Sequence, residues 1–361
     1  MLKIASRILI LVSAVFLIVV STYFMYLVFS YKRIPDNIPI ETKGKFKAEK
    51  ISEGAVYKIT SANLGFGAYS MDFSFFMDGG KYSRAYSREE VVKNIRGSID
   101  LILEENADFM LFQEMDFYST RSHQVDERKI SFDMLNEKNE NRINSIFAQN
   151  YDSPYLFWPV YEPHGKNKSG IFTASRFRLY DSKRISLPIE TGLSRFIDLD
   201  RCYMKTRIDV ENGKQLALYN VHLSAYTTNH ETSTRQIEKM NNDMMDEYYS
   251  GNYVVLGGDL NREVMEGMSE FFGFESNGLN WSKTFPMEKL NPHLKLIPPV
   301  NVNNPVPTVR DTKEPWNGEN FVTVIDGFIV SDNVKVLETG VTDSNFEFSD
   351  HNPIWMKFRL E

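Results

Sequence analysis

Four apolar runs in this chain end abruptly in carboxylates, carboxamides or imidazoles. ITSANLGFG carries Asn63, FMLFQEMD carries Glu114, YNVHLSA carries His222, and VVLGGDLNRE carries Asp259 and Asn261. A carboxylate can hold a hard cation or take a proton, an imidazole can take or give one, and a carboxamide can donate to a developing oxyanion. Singly, each has an ordinary explanation, because Asp and Asn form turns and polar residues often follow strands. Their repetition in the same setting points to a site, since ligands of α/β sheets collect beyond the carboxyl ends of strands. Asp259 and Asn261 are two apart, so continued strand geometry would put both on one face.

Two further groups lie near the C-terminus. VTVIDGFIV sets Asp326 inside an apolar strand, where an unpaired carboxylate is costly. FSDHNP sets Asp350 and His351 side by side, just ahead of another strand. A buried Asp needs a partner, and a histidine is a natural one: the pair fixes the imidazole tautomer and stabilises its charged form.

These residues need a scaffold of strands and crossover helices. Strands are expected at 56–64, 108–113, 171–175, 216–222, 253–258, 321–330 and 354–360. A helix should start after Ser87, where Glu90 completes a capping box and Val91, Val92, Ile95, Ile99 and Ile102 form an apolar stripe. A second should cover 234–249, with Ile237, Met240, Met244 and Tyr248 on one face. No repeat and no linker interrupts 54–361, which reads as one catalytic domain.

Residues 8–29 carry no charge; as a helix they would rise about 33 Å, enough to cross a hydrocarbon core of ~30 Å. Bulky residues follow where a signal peptide would have a small-residue cleavage site, so an uncleaved transmembrane signal-anchor is expected, with 1–7 as its flank and 30–53 as a juxtamembrane linker. Lys3 and Arg7 before the span favour an inner N-terminus and an extracytoplasmic domain, although Lys32 and Arg33 follow it. Beyond those four residues, 37 basic residues face 48 acidic ones, a net of −11, which does not favour non-specific binding to a polyanion. The single cysteine, Cys202, excludes an intramolecular disulfide and a cysteine-rich zinc site.

Taken in order, Asn63, the QE of Gln113 and Glu114, NVHL around His222, GGDLN at 257–261, IDGFIV at Asp326 and SDHNP at 349–353 resemble the endonuclease/exonuclease/phosphatase (deoxyribonuclease I-like) superfamily. Its members include pancreatic-type deoxyribonucleases, abasic-site endonucleases, neutral sphingomyelinases and inositol polyphosphate 5-phosphatases. The likeness spans about 55–361 and includes KSGIFTASRF at 168–177. It implies an α/β (α+β) fold, a four-layer sandwich of two packed mixed β-sheets flanked by helices, here preceded by one transmembrane helix. It also implies Glu114 as principal ligand of Mg²⁺ or Mn²⁺, assisted by Asn63 and Asp350. Asp259 and His351 are then rival bases towards water, Asp326 orients His351, and His222 and Asn261 hold phosphoryl oxygens. Glu162 is the nearest candidate for a second acid beside His222.

The expected function is a membrane-anchored, metal-dependent phosphoester hydrolase acting on a phospholipid, an inositol phosphate or another small phosphoester. The aromatic loop at 64–80 (Phe66, Tyr69, Phe73, Phe75, Phe76) would dip into a bilayer, wall a pocket or fold onto its own core. A surface nuclease is the alternative, with nucleic acid bound by Lys81, Arg84, Arg88, Arg121 and Arg128. An inactive binding protein is disfavoured because the polar set is intact, and no protein partner is evident.

Overall fold

Side-chain alternation sorts each extended run onto two faces, and a computed structural model, which describes residues 2–190, 192, 200–225, 230–275, 280–301 and 304–361, places those faces. Helix α1 (Leu2–Ser30) is followed by β1 (Tyr57–Asn63), α2 (Arg88–Glu104) and β2 (Phe109–Asp116). Strands β1 and β2 are parallel, with Asn63 in register with Gln113. Ser87 caps the crossover helix α2 by accepting the Glu90 N–H at 3.2 Å. Helix α3 (Glu127–Lys138), β3 (Asn144–Asp152) and β4 (Lys168–Ser175) complete this half.

The second half repeats the unit. After β5 (Tyr180–Ser186) and β6 (Cys202–Val210), β7 (Gln215–His222) crosses over through α4 (His230–Tyr249) to the parallel strand β8 (Tyr253–Asp259). His222 lies in register with Asp259. Strands β9 (Leu294–Ile297) and β10 (Asp326–Ser331) extend this sheet, whereas β11 (Val334–Val341) and β12 (Ile354–Leu360) return to the first. The sheets run β11-β12-β1-β2-β4-β3 and β5-β6-β7-β8-β10-β9. Both are mixed, each with one parallel pair at its centre.

Between the sheets, Ile59, Phe109, Leu111 and Ile171 meet Met204, Leu218, Val255 and Phe328. The alternate side chains Met110 and Phe112 face Val91, Ile95, Ile99 and Ile102 of α2. On the opposite outer surface, Ala217, Tyr219, Val254 and Leu256 face Ile237, Met240 and Met244 of α4. Each such side chain contributes about 1.5–3 kcal/mol by leaving water. The result is the four-layer arrangement, and its two central crossovers deliver the carboxyl ends of β1, β2, β7 and β8 to one end of the sandwich.

Two local expectations differ from the structure. Residues 321–330 do not form one strand: Val322–Thr323 pairs with Val309–Arg310, and β10 begins only at Asp326. Thr308 makes the break, because its Oγ1 accepts the N–H of both Ile325 and Asp326, at 3.1 and 3.3 Å. The segment at 30–53 docks on both sheets, with Ile38–Pro39 on β5, Lys43–Gly44 on β3 and Lys50–Ile51 on β6. Of the alternatives open for the aromatic loop, the structure takes the fold onto its own core: Phe66, Tyr69, Phe73 and Phe75 are buried and packed edge to face or tilted against one another.

Candidate active site

The parallel register of β1 with β2 and of β7 with β8 brings four strand ends together. Asn63 is the bridge between the sheets: its Nδ2 donates to Asp259 Oδ2 at 3.0 Å and to Glu114 Oε1 at 3.3 Å. Its Oδ1 accepts the Gly65 N–H at 3.0 Å, which leaves one lone pair for a cation. His222 Nε2 lies 3.5 Å from Asp259 Oδ2 and 3.8 Å from Glu114 Oε1. Glu162 is not beside His222; it bonds the backbone and hydroxyl of Ser83.

Glu114 sits on a β-bulge where the register between β2 and β4 shifts, and its φ is +51°. That left-handed backbone costs a non-glycine residue roughly 1–2 kcal/mol. The bulge turns the carboxylate out of the strand's alternation and leaves it half-buried at the site. Asn261 shows a similar departure. The strand ends at Asp259, and Asn261 has φ +45°, so the expected shared strand face does not form. Instead the Asn261 N–H donates to Asp259 Oδ1 at 2.8 Å, and its Nδ2 donates to Leu223 O at 2.8 Å.

Asp326 is the first residue of β10, opposite Asp259, rather than mid-strand. Its Oδ2 pairs with His351 Nδ1 at 2.8 Å, and His351 Nε2 then lies 3.8 Å from Asp259 Oδ2. Burial opposes a charged His351, but the Asp326 carboxylate more than compensates and raises its pKa to about 10. Burial, reinforced by the charge of Asp326, pushes Asp259 up to about 7. His222 is driven well below its ordinary value, first by burial and then by Arg201 and His351. The two imidazoles are therefore set in opposite charge states.

Asp350 is tied in by its neighbours. Ser349 Oγ donates to the Asn63 carbonyl at 2.9 Å, and the Asp350 carbonyl accepts the Arg310 N–H at 3.0 Å. Gly65 (φ +51°) is needed here, because a Cβ would meet the Tyr69 ring and, at 2.9 Å, Asp350 Oδ1. Burial pushes the Asp350 carboxyl up to about 6, and the charges of Glu114 and Asp78 add to the effect. Crowded carboxylates of this kind are relieved by a divalent cation. With Asn63 Oδ1 they make an all-oxygen donor set, which suits hard Mg²⁺ or Mn²⁺. Asp259, Asp326 and His351 also place ligand atoms within 4.8 Å of one another, but the direct Asp326–His351 hydrogen bond already accounts for that cluster.

Glu114, His222, Asp259, Asn261, Asp350 and His351 line one cavity of about 70 Å³, with Asn63 and Asp326 bonded to its lining residues. Tyr69 of the aromatic loop lines it too, as do Asp78, Arg201, Trp281 and Arg310, which escaped the sequence reading. Arg310 had the one legible signal, a lone cation in the strand-forming PTVRD; its side chain is almost fully buried and its Nε has no partner. An adjoining cavity of about 90 Å³ shares Tyr69, Glu114, Arg201 and His222, and is walled by Phe66, Phe75, Arg121 and His164.

The family model described as "Endonuclease/Exonuclease/phosphatase family" matches residues 77–351, about three quarters of the chain. Among solved structures, an endonuclease/exonuclease/phosphatase from Beutenbergia cavernae DSM 12333 superposes with a TM-score of 0.55 at 15% identity, covering 84% of this chain and 72% of that one. A family protein from Leptotrichia buccalis C-1013-b gives 0.53 at 16% identity, covering 84% and 100%. ANGEL2, described as a 2',3'-cyclic phosphatase, gives 0.53 at 14% identity, covering 90% and 99%. These likenesses are of fold. No curated protein matches by sequence.

Proposed function

Because the chain belongs to the endonuclease/exonuclease/phosphatase family, we propose that it is a divalent-cation-dependent phosphoester hydrolase, held at a membrane by α1 and acting on a lipid or another small phosphoester. The observation that carries this reading is the shared cavity, in which acids, amides and imidazoles from both sheets converge.

Glu114, Asp350 and Asn63 Oδ1 would hold Mg²⁺ or Mn²⁺, which when bound polarises a phosphoryl oxygen and offsets charge on the leaving oxygen. Asp259 is fixed by the Asn261 N–H and Asn63 Nδ2, and takes the proton of the attacking water. His351, tied to Asp326 through Nδ1, turns Nε2 to the cavity and stabilises charge there. His222 Nε2 and the second amide hydrogen of Asn261 donate to phosphoryl oxygens as charge accumulates.

A lipid or small substrate is favoured over nucleic acid by the fate of the basic residues. Arg121 is consumed by a bidentate pair with Asp116, at 2.8 Å through both Nε and Nη2, and Arg128 by one with Asp126. Of the five basic residues that could meet nucleic acid, Lys81, Arg84 and Arg88 are left without a carboxylate pair among the described residues, on a part of the chain whose net of −11 beyond residue 35 disfavours a polyanion. The orientation proposed is an inner N-terminus and an extracytoplasmic domain, supported by the α-amino group beside Lys3 and Arg7, against Lys32 and Arg33 on the other flank. The test is hydrolysis by the full chain of DNA, RNA, phospholipids, sphingomyelin and inositol phosphates, with Mg²⁺, Mn²⁺ or EDTA. Metal-dependent turnover of a lipid or inositol phosphate is expected; turnover that survives EDTA defeats the mechanism, and DNA as the sole substrate defeats the substrate class.

A further inference from the structure

Residues 153–167 connect β3 to β4 and carry six large apolar side chains within seven positions, the half-buried Leu156 and five others: Tyr155, Phe157, Trp158, Val160 and Tyr161. All five are exposed, Trp158 at 68% and Tyr161 at 73%. Other exposed large apolar residues of the domain, among those described, are scattered singly along the chain, as at Phe46, Tyr118, Phe271 and Leu337. Single exposures are ordinary on a soluble surface, whereas a concentrated patch marks something that covers it.

The loop is braced rather than loose. Tyr161 Oη donates to Lys81 O at 2.9 Å, His164 Nδ1 lies 2.8 Å from Ser83 O, and Leu156 and Gly165 bridge its two arms. It is also joined to α1. Tyr23 Oη donates to Tyr155 O at 3.1 Å and accepts the Phe157 N–H at 3.0 Å, while Tyr26 Oη accepts the Tyr155 N–H at 3.0 Å. The Tyr23 and Phe157 rings meet edge to face at 6.3 Å. Tyr26 and Tyr23 lie about 4.5 and 9 Å below the outer end of the apolar run at Phe29, so the loop that they hold is set against the outer part of that run.

The same end of the domain carries the candidate site. Asp116 pairs with Ser169 and Asp152 with Lys168, so the loop leaves the sheet at the Glu114 end of β2. The chain leaving α1 docks at the matching end of the other sheet: Arg33 Nη2 donates to Leu187 O, Ile34 N–H to Asp200 Oδ1, and Ser186 N–H to Asp36 Oδ1. That end of β6 pairs with Val221, beside His222. Both sheets thus turn their catalytic ends towards α1.

We infer that the 155–161 loop seats in the interface of the bilayer that α1 crosses, so that the site opens onto the membrane surface and takes phosphoesters whose apolar part stays in that leaflet. The occupant of the patch is the phospholipid interface itself. The inference rests on the anchor proposed above, and its test separates the two.

Full-length protein is reconstituted in phosphatidylcholine vesicles with an environment-sensitive fluorophore at Trp158→Cys, at Tyr161→Cys or at Tyr249→Cys. Cys202 is fully buried and stays unlabelled. Tyr249 is exposed and ends α4 ahead of β8, at the end of the sandwich opposite the site. Emission at 158 and 161 should shift to the blue and fall about twofold or more with spin-labelled lipid, while position 249 stays as in water. If 158 and 161 read as water-exposed while the protein resists carbonate extraction, the seating is wrong and the anchor stands. If the protein washes off the vesicles, both fail.

Discussion

His351 Nδ1 and Asp326 Oδ2 meet at 2.8 Å with both side chains almost fully buried, 25 residues apart in sequence. The carboxylate fixes which imidazole nitrogen faces Asp259 and the cavity. Asp326→Asn keeps the shape of the side chain but loses the charge that supports the imidazolium. Activity on the best phosphoester should fall ~10²–10⁴-fold. The Mg²⁺ concentration for half-maximal rate should hold, because Asp326 is not among the cation's expected ligands. A large shift in that midpoint would place Asp326 in the metal site.

Glu114 makes the opposite prediction. Glu114→Gln should raise the Mg²⁺ or Mn²⁺ requirement, and excess cation should restore part of the rate, as it should not for Asp326→Asn. The left-handed backbone adds a stability readout. Glu114→Gly should unfold in urea with a free energy about 1 kcal/mol higher than Glu114→Ala, since glycine alone takes φ +51° without strain. Equal stabilities would show that the bulge stores no strain.

Arg121 and Asp116 form a buried bidentate pair, and the guanidinium also lies 3.8 Å over the Phe66 ring. Arg121→Leu leaves Asp116 buried and unpaired, which should cost about 3–5 kcal/mol of stability. Arg121→Leu with Asp116→Leu should recover part of that loss. Urea denaturation of the single and double variants checks it; a mild single variant would mean that water reaches Asp116.

Without a cation, the pH dependence of stability has a defined sign. Asp259 (about 7), Asp350 (about 6) and His351 (about 10) all hold protons more tightly in the folded state. Their contributions are complete below the unfolded pKa values and are lost as pH rises through the folded ones. His222 works in the other sense, but its contribution is complete above about 6.5. The melting temperature of EDTA-treated protein should therefore fall between pH ~6.5 and ~8.5, and Mg²⁺ should flatten the decline, since a cation replaces protons among the carboxylates. A melting temperature that rises with pH over this window would contradict the burial of these groups.

For α1, its 29 residues and apolar surface predict retention of full-length protein in membranes after alkaline carbonate. Recovery of a soluble product beginning just after Ser30 would identify it as a cleaved leader.

Elements with a single strong periodicity were legible in the sequence. The apolar stripe of α2 and the Ser87 cap mark that helix, and the alternation of Ile354, Met356, Phe358 and Leu360 marks β12. Strand β6 was not legible because Lys205 and Arg207 interrupt its apolar pattern. In the fold Lys205 meets Asp243 and Glu247 of α4, and Arg207 also meets Glu247, so their charges are answered across the sheet–helix layer. Candidate site residues held by short motifs were legible, as at GGDLN and SDHNP, and the structure brings them to one cavity. Asp78 and Arg201 were not, because they reach the cavity from segments with no repeating pattern, and Arg310 offered only a lone cation in a two-residue strand. The sequence left the 64–80 aromatics open between a bilayer, a pocket wall and the loop's own core, because composition alone does not tell a packed ring from one facing solvent.

Strand β12 lies against β1, the first catalytic strand, and Ser349 just before it closes onto Asn63 across 286 residues. A ribosome therefore delivers Asn63 and Glu114 long before the Asp350 and His351 that complete the cavity. The half-made chain can collapse around β1, α2 and β2, but the candidate cavity is incomplete until β12 pairs with β1. On the proposed function, a newly made copy is therefore chemically silent until that closure has formed.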